Sequence, residues 1–139
     1  MMRLENWPSR LTETINAASS RRFLCGEYDC FIFCADVVEA MTGRDLFEGY
    51  DFRGKYKTPK GAIKQIRKNG FENIEAIWDH FAKPVDVNFA QRGDIILIDV
   101  DEELPATGPV IDSRAAFLSK DGITYRNTTE GLRAWRIGA

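Results

Sequence analysis

Apolar side chains recur at three- and four-residue intervals up to about residue 82, which is the spacing of amphipathic helices. The spacing predicts four helices. The second begins after Asp29, a residue type that caps helix N-termini, and ends at Gly43, which tolerates a left-handed backbone. The third opens at Thr58-Pro59 and stops at an Asn-Gly pair, and the fourth follows Asn73. The first is marked by Leu4, Trp7, Leu11, Ile15 and Ala18.

After Pro84 the pattern changes to short apolar runs separated by turn residues. The run Ile95–Ile98 is apolar and mostly β-branched, which predicts a buried strand. Helices followed by strands are typical of an α+β domain. We therefore expect a single domain over residues 1–139, with the helices packed on one side of an antiparallel meander. The further strands of the meander are predicted at 110–111, 115–118, 123–125 and 132–137.

Composition and charge exclude several classes of protein. A length of 139 residues suits one domain, and 44% hydrophobic with 29% charged residues is ordinary for a globular chain, which argues against disorder. The net charge of −2 lacks the basic excess of a nucleic-acid-binding protein, so no nucleic-acid partner is predicted. No apolar run approaches the roughly 18 residues of a membrane-spanning helix, so no membrane insertion is expected. The first ten residues lack the apolar segment of a secretory signal.

The candidate chemistry lies among three cysteines, Cys25, Cys30 and Cys34. Their spacing fits neither a disulfide framework nor a zinc motif, so free thiols in a reducing compartment are predicted; a metal site completed by a partner chain stays open. Cys30 falls in the first turn of the second predicted helix, where the positive end of the helix dipole stabilises a thiolate. Gly26 lets the backbone bend and leaves room for a substrate, whereas the charge of Asp29 opposes the thiolate.

The segment around Cys30 resembles the nucleophile region of NlpC-type, papain-like cysteine peptidases of the bacterial cell wall. The matching stretches are 23–30, Phe33, Ala35-Asp36 and the Arg-Gly-Asp-Ile stretch at 92–95. The closer resemblance is to a compact, phage-encoded branch, through 42–43, 53–56, 114–117 and 134–136. The resemblance implies a papain-like α+β fold, in which the helix beginning at Cys30 packs against a sheet built from about 94–137. Proteins of this branch are typically encoded among phage tail genes.

Two positions depart from the pattern of the peptidases. Their Trp before the glycine is Cys25 here, and their catalytic histidine, expected at about 106–108, is replaced by Ala-Thr-Gly. His80 is the only histidine of the chain and stays a candidate base for Cys30. It lies to the side of the apolar stripe of the fourth helix, so a surface role is the simpler interpretation. Asn127 is a candidate orienting group for a base, and a turn or sheet residue is again the simpler interpretation.

A basic segment interrupts the balanced charge. Between Asp51 and Glu72 the chain has seven basic residues and no acidic one. A solvated helix face is the simplest interpretation, and a patch for an acidic partner, either another tail protein or the anionic cell wall, is the alternative. The candidate binding residues of such a patch are Arg53, Lys60, Lys64 and Lys68.

The missing histidine favours a structural role over catalysis. We predict a structural component of a phage or prophage tail tip or baseplate, made in the host bacterial cytoplasm and incorporated into the virion. Its degenerate peptidase fold would contact other tail proteins or the cell wall. The alternative is an active peptidoglycan endopeptidase with Cys30 as nucleophile and a base from His80 or a partner chain. No metal and no cofactor is predicted for either function.

Overall fold

The computed structural model describes residues 1–138, and along them four α-helices precede six β-strands. The α+β class and all four helices predicted from the apolar spacing are confirmed. The helices are α1 (Trp7–Ala18), α2 (Cys30–Thr42), α3 (Pro59–Lys68) and α4 (Ile74–Phe81). The strands are β1 (Lys83–Val85), β2 (Ile95–Ile98), β3 (Ala106–Pro109), β4 (Arg114–Ser119), β5 (Gly122–Asn127) and β6 (Arg133–Arg136).

The helix ends follow the capping residues of the sequence. The side chains of Asp29, Thr58 and Asn73 each accept a hydrogen bond from a backbone N–H in the first turn of α2, α3 and α4. Gly43 ends α2 in the left-handed conformation, with φ of 77°. These caps satisfy backbone groups that a helix end otherwise leaves unpaired, and they fix the position at which α2 begins.

The strands do not form the predicted meander. Residues 1–138 contain a four-stranded antiparallel sheet in the order β1-β6-β2-β3 and the separate hairpin β4-β5, which a bridge between Val110 and Ala115 joins to the first sheet. The last strand leaves the hairpin because a 3₁₀ turn at Thr128–Glu130 redirects the chain, and the Leu132 N–H then donates to the Leu97 carbonyl. As a result β6 pairs with β1 and β2 instead of β5.

The helices pack on one side of the sheet, as predicted. Helix α2 is the centre of the main core, where it lies against α1, β3 and β4. Trp78 of α4 and Trp135 of β6 are fully buried in this core, with ring centroids 6.3 Å apart. Ile95 and Leu97 face the same core, whereas the alternate side chains of β2 enter a smaller apolar cluster on the opposite side of the sheet.

A buried carboxylate ties both ends of the chain to the sheet. Asp94 is fully buried and forms ion pairs with Arg3 at 3.3 Å and with Arg136 at 3.0 Å. Its second oxygen accepts the Gln91 N–H at 2.8 Å. Asp94 therefore links the N-terminal segment, the start of β2 and the end of β6. No helix within residues 1–138 is both long enough and apolar enough to cross a lipid bilayer.

Candidate functional site

A cavity of about 220 Å³ lies beside the N-terminus of α2. Its wall is built by α2, α3, the loop between β2 and β3, the start of β3 and the β4-β5 hairpin. The lining is mainly apolar, and Cys25, Cys30 and Tyr56 are among its polar members. The apolar members include Phe23, Phe31, Ile66, Ile98, Leu104 and Phe117. A half-enclosed apolar space with a few polar groups is typical of a binding site.

Cys30 is the first residue of α2, which confirms its predicted place in the first turn of that helix. It also lines this cavity. The sequence predicts that the end of the helix stabilises the Cys30 thiolate, and this prediction is wrong. Burial raises the pKa of the Cys30 thiol to about 12, and the charge of Asp29 adds to the rise. A hydrogen bond from the Thr107 backbone N–H acts in the opposite direction and does not compensate. Burial therefore disfavours the charged form, and the protonated thiol of Cys30 is favoured at neutral pH.

Asp29 is buried and fully engaged by three donors. Its Oδ1 accepts the Ile32 N–H at 2.9 Å, and its Oδ2 accepts the Gly26 N–H at 2.9 Å and the Tyr56 hydroxyl at 2.7 Å. Burial and the neighbouring Asp29 raise the pKa of Tyr56, so the Tyr56 hydroxyl keeps its proton and donates it. These bonds hold the 24–29 loop against the rest of the site, and Asp29 acts as a structural cap in this arrangement.

Gly26 does not leave room for a substrate, contrary to the expectation from sequence. Its φ of 87° does provide the predicted sharp bend. The space beside its α-carbon is filled by the backbone carbonyl of Tyr56, which a Cβ atom at this position would approach to 1.8 Å. The glycine therefore allows two backbone segments to pack closely, and the cavity opens elsewhere.

The position of the missing histidine lies next to Cys30. Ala106 lines the same cavity, and the Thr107 backbone bonds to Cys30. Thr107 is fully buried, and its hydroxyl oxygen accepts a hydrogen bond from the Cys34 thiol at 3.4 Å. A methyl group and a buried hydroxyl thus stand where the resemblance implies an imidazole, and neither accepts a proton from a thiol at neutral pH.

The structure does not bring the other two candidate catalytic residues to Cys30. His80 is exposed on α4, where its ring contacts the rings of Phe71 and Phe81, and it does not line the cavity. Asn127 is exposed at the end of β5, and its backbone N–H donates to Glu130. The surface role that the sequence favours for His80 and the turn or sheet role that it favours for Asn127 agree with these positions.

The three cysteines are free thiols, as predicted. Burial raises the pKa of Cys25 and of Cys34, so neither is activated by its surroundings. Within residues 1–138, no three His, Cys, Asp or Glu side chains cluster in a way that would hold a metal ion.

The basic segment separates into two parts. Arg53 forms ion pairs with Asp36 at 3.0 Å and Asp45 at 3.5 Å, so its charge is neutralised within the protein. The remaining candidates, Lys60, Lys64 and Lys68, are exposed at four-residue intervals along α3, and none forms an ion pair with a residue in the range 1–138. We call these three residues the α3 lysine face.

Sequence reasoning missed several residues of the cavity. Tyr56 belongs to a stretch that the resemblance marks, but nothing in the sequence assigns its hydroxyl to Asp29. Glu102, Lys120 and Arg126 also line the cavity, and they come from segments that read only as an acidic loop, a turn and a strand. Their convergence depends on tertiary packing.

Comparison with known proteins identifies a family but no curated relative. A family model described as "Domain of unknown function (DUF6950)" matches residues 2–137. No curated protein matches the chain. The family match includes every helix and strand from α1 to β6, and so it contains the cavity and the α3 lysine face.

Proposed function

The chain belongs to the DUF6950 family, and we propose that within it this protein is a non-catalytic phage or prophage tail-tip or baseplate component with a papain-like, NlpC-type fold. In this role the protein is made in the host cytoplasm, enters the virion and binds other tail proteins or the cell wall. The cavity beside Cys30 serves binding, and no metal or cofactor takes part.

The arrangement of α2 against the sheet supports the NlpC-type part of this proposal. Cys30 begins the central helix, and the start of β3 lies beside it, which is the relation that the resemblance implies for nucleophile and base. Ala106 and Thr107 occupy the place of the base. A peptidase framework whose base has been replaced is consistent with both features.

The observation that carries the non-catalytic assignment is the environment of Cys30. Papain-like chemistry needs a thiolate to attack and an acid to protonate the leaving amine, and one imidazole normally performs both steps. Here burial raises the pKa of the thiol to about 12, and no histidine among residues 1–138 lines the cavity. General acid–base catalysis contributes a factor of about 10²–10⁴ to the rate, so its loss would lower the rate of hydrolysis by about that factor.

The α3 lysine face supports an anionic partner. Its three ammonium groups are exposed and unneutralised within residues 1–138, so they attract negative charge at a distance of about one Debye length, or roughly 8–10 Å at ordinary salt. An acidic surface on a neighbouring tail protein or the anionic polymers of the cell wall would satisfy this requirement.

A second candidate function is an active peptidoglycan endopeptidase. The observation that favours it is that Cys30 lines a cavity from the first turn of a helix, where a nucleophile is normally placed. Such an enzyme would need a base from a partner chain or a rearrangement that brings His80 to the thiol.

Incubation of the purified protein with peptidoglycan fragments separates the two functions. We expect no fragment release above that of Cys30→Ala, with Cys25→Ala as a matched control that removes a neighbouring cavity thiol. Rapid cleavage that disappears in Cys30→Ala but persists in Cys25→Ala would refute the non-catalytic assignment. Additional loss of cleavage in His80→Ala would identify the base.

The tail assignment is tested on assembled particles. Phage particles released from the bacterium that encodes the chain are purified through a density gradient and analysed by mass spectrometry. We expect the protein to co-purify with tail proteins at a fixed ratio. A chain that is abundant in the cell but absent from intact particles would overturn the tail assignment without affecting the catalytic test.

A further inference from the structure

Strand β5 has a free edge next to the cavity. Within residues 1–138, backbone groups of 123–126 form no hydrogen bond outside the β4-β5 hairpin. The other outer strand, β1, is only three residues long and contains Lys83 and Pro84, which discourage further pairing. Strand β3 is covered by β4, because a Cβ atom at Gly108 would approach the Ala116 carbonyl oxygen to 2.0 Å. Helix α1 approaches β5, and Ile123 packs against the main core, but no backbone hydrogen bond joins α1 to 123–126. The backbone edge of β5 is therefore the one available to a partner strand.

The free edge and the cavity share one face of the hairpin. Thr124 and Arg126 line the cavity, and the intervening Tyr125 is 48% exposed. Alternate residues of a strand point to opposite faces, so a chain paired with β5 would direct every second side chain towards the cavity side. Its other side chains would lie on the face of Tyr125.

The chemistry of the cavity specifies one apolar side chain with charged neighbours. Phe23, Leu104 and Phe117 provide apolar surface. Arg126 forms an ion pair with Glu130, with 2.6 Å between Nη2 and Oε1, so its charge is neutralised within the hairpin region. Lys120 of the hairpin forms no ion pair among residues 1–138. Glu102 also lines the cavity and forms no ion pair among residues 1–138. An acidic residue two positions from the apolar one, on the same face of the added strand, would complement Lys120, and a basic residue two positions away in the other direction would complement Glu102.

We propose that the free edge of β5 and the adjacent cavity form a docking site for an extended peptide segment of a partner protein, which adds a strand to β5 and inserts an apolar side chain into the cavity. The proposal rests on the proposed function only in assigning the cavity to binding. A polypeptide is the occupant because it alone carries N–H and C=O groups at the strand repeat that the free edge requires. A glycan could fill the cavity but could not continue the backbone ladder.

The test begins with selection of a random dodecapeptide library against the folded full-length Cys30→Ala protein, which removes hydrolysis as a complication. We expect enriched sequences in which charged residues, one of them acidic, lie two positions from a large apolar residue, so that all of them face the cavity side. The synthetic consensus peptide should slow amide hydrogen exchange in β5. Methylation of backbone nitrogens at alternate residues that face β5 should weaken binding about 10- to 100-fold, because each methyl removes a hydrogen bond, whereas methylation at the intervening residues should not.

Variants of the protein and of the peptide locate the side-chain pocket. Ala106→Phe places a ring in the cavity and should weaken binding at least about tenfold, whereas Ala17→Phe, on the exposed side of α1, should leave binding unchanged. A consensus peptide whose apolar residue is replaced by Ala should lose affinity for the unchanged cavity to a similar extent. This peptide variant tests the pocket even if the Ala106→Phe protein does not fold.

Three results would overturn the docking proposal: no enriched peptide, binding without protection of β5 amides, or equal effects of methylation on both sets of alternate nitrogens. Muropeptide fragments that occupy the cavity without protecting β5 would also overturn it, in favour of a cell-wall ligand. Failure of the proposed function gives a different result, which is hydrolysis by the wild-type chain in the separate peptidoglycan assay.

Discussion

The reactivity of Cys30 is the property on which the functional assignment depends most directly. Its pKa of about 12 compares with 9.0 for an ordinary thiol, so the thiolate fraction at neutral pH is smaller by about 10³. A thiolate of higher pKa is intrinsically more nucleophilic, with a Brønsted coefficient of about 0.4–0.5, which returns a factor of about 15–30. Cys30 should therefore react with a disulfide reagent about 30- to 60-fold more slowly than a solvent-exposed reference thiol.

The assay follows the reaction with an aromatic disulfide reagent as a function of pH. Cys25→Ala is compared with the double variant Cys25→Ala/Cys30→Ala, and the difference isolates Cys30, since Cys34 is fully buried. We expect a rate that rises continuously from pH 7 to pH 10 without a plateau. A rate above that of a cysteine-containing peptide, or a plateau with an apparent pKa below about 8, would refute the argument that burial dominates the helix dipole.

Three further predictions concern stability and association. Asp94→Ala should lower the free energy of unfolding by about 3 kcal/mol in urea titrations, because it leaves partly buried arginines unpaired; an unchanged midpoint would contradict this role. Gly26→Ala should lower the free energy of unfolding by about 2–5 kcal/mol, because the new Cβ collides with the Tyr56 carbonyl and the residue must adopt a positive φ. Gly54→Ala also requires a positive φ but has open space around it, so it should lower the free energy of unfolding by only about 1–2 kcal/mol. A triple lysine-to-glutamate variant of the α3 lysine face should keep its melting temperature within a few degrees, since surface charges contribute at most about 1 kcal/mol each. It should also bind purified tail components more weakly, most clearly at low salt. Unchanged assembly would show that the α3 lysine face is an ordinary solvated surface with no role in binding.

The helices were predictable because their signals are local. Caps at Asp29 and Thr58, the left-handed stop at Gly43 and the three- and four-residue spacing all lie within the elements that they define. The β4-β5 hairpin was predictable for the same reason, since a Lys-Asp-Gly turn joins its two strands. Local signals of this kind determine where an element begins and ends along the chain, but they do not determine which other element it contacts.

The sheet order was not predictable from the same signals. Alternation identifies a strand but does not select its partner, so β6 was expected beside β5 and instead pairs with β1 and β2. The apolar pair at 110–111 was expected to form the second strand, and β3 instead spans Ala106–Pro109. In the structure Gly108 is a strand residue whose missing side chain lets β4 approach closely.

The candidate site shows the same division. The position of Cys30 at the start of α2 follows from the sequence, because cap and helix are neighbours. Its pKa does not, because it depends on burial and on groups such as Thr107 of β3, which is far from Cys30 along the chain. Desolvation is a tertiary property, and it shifts the pKa in the direction opposite to that expected from the helix dipole.

The same burial that suppresses the chemistry of Cys30 also favours binding. Burial raises the pKa of the thiol, and the apolar lining of the cavity beside it is the surface that a partner's apolar side chain would cover. A catalytic site needs a polar base in that space, and an imidazole at position 106 or 107 would introduce one. With a methyl group and a buried hydroxyl there instead, the cavity is better suited to hold an apolar side chain than to activate a thiol. Binding and catalysis at this cavity therefore make opposite demands on the same two positions, and the residues present meet the demands of binding.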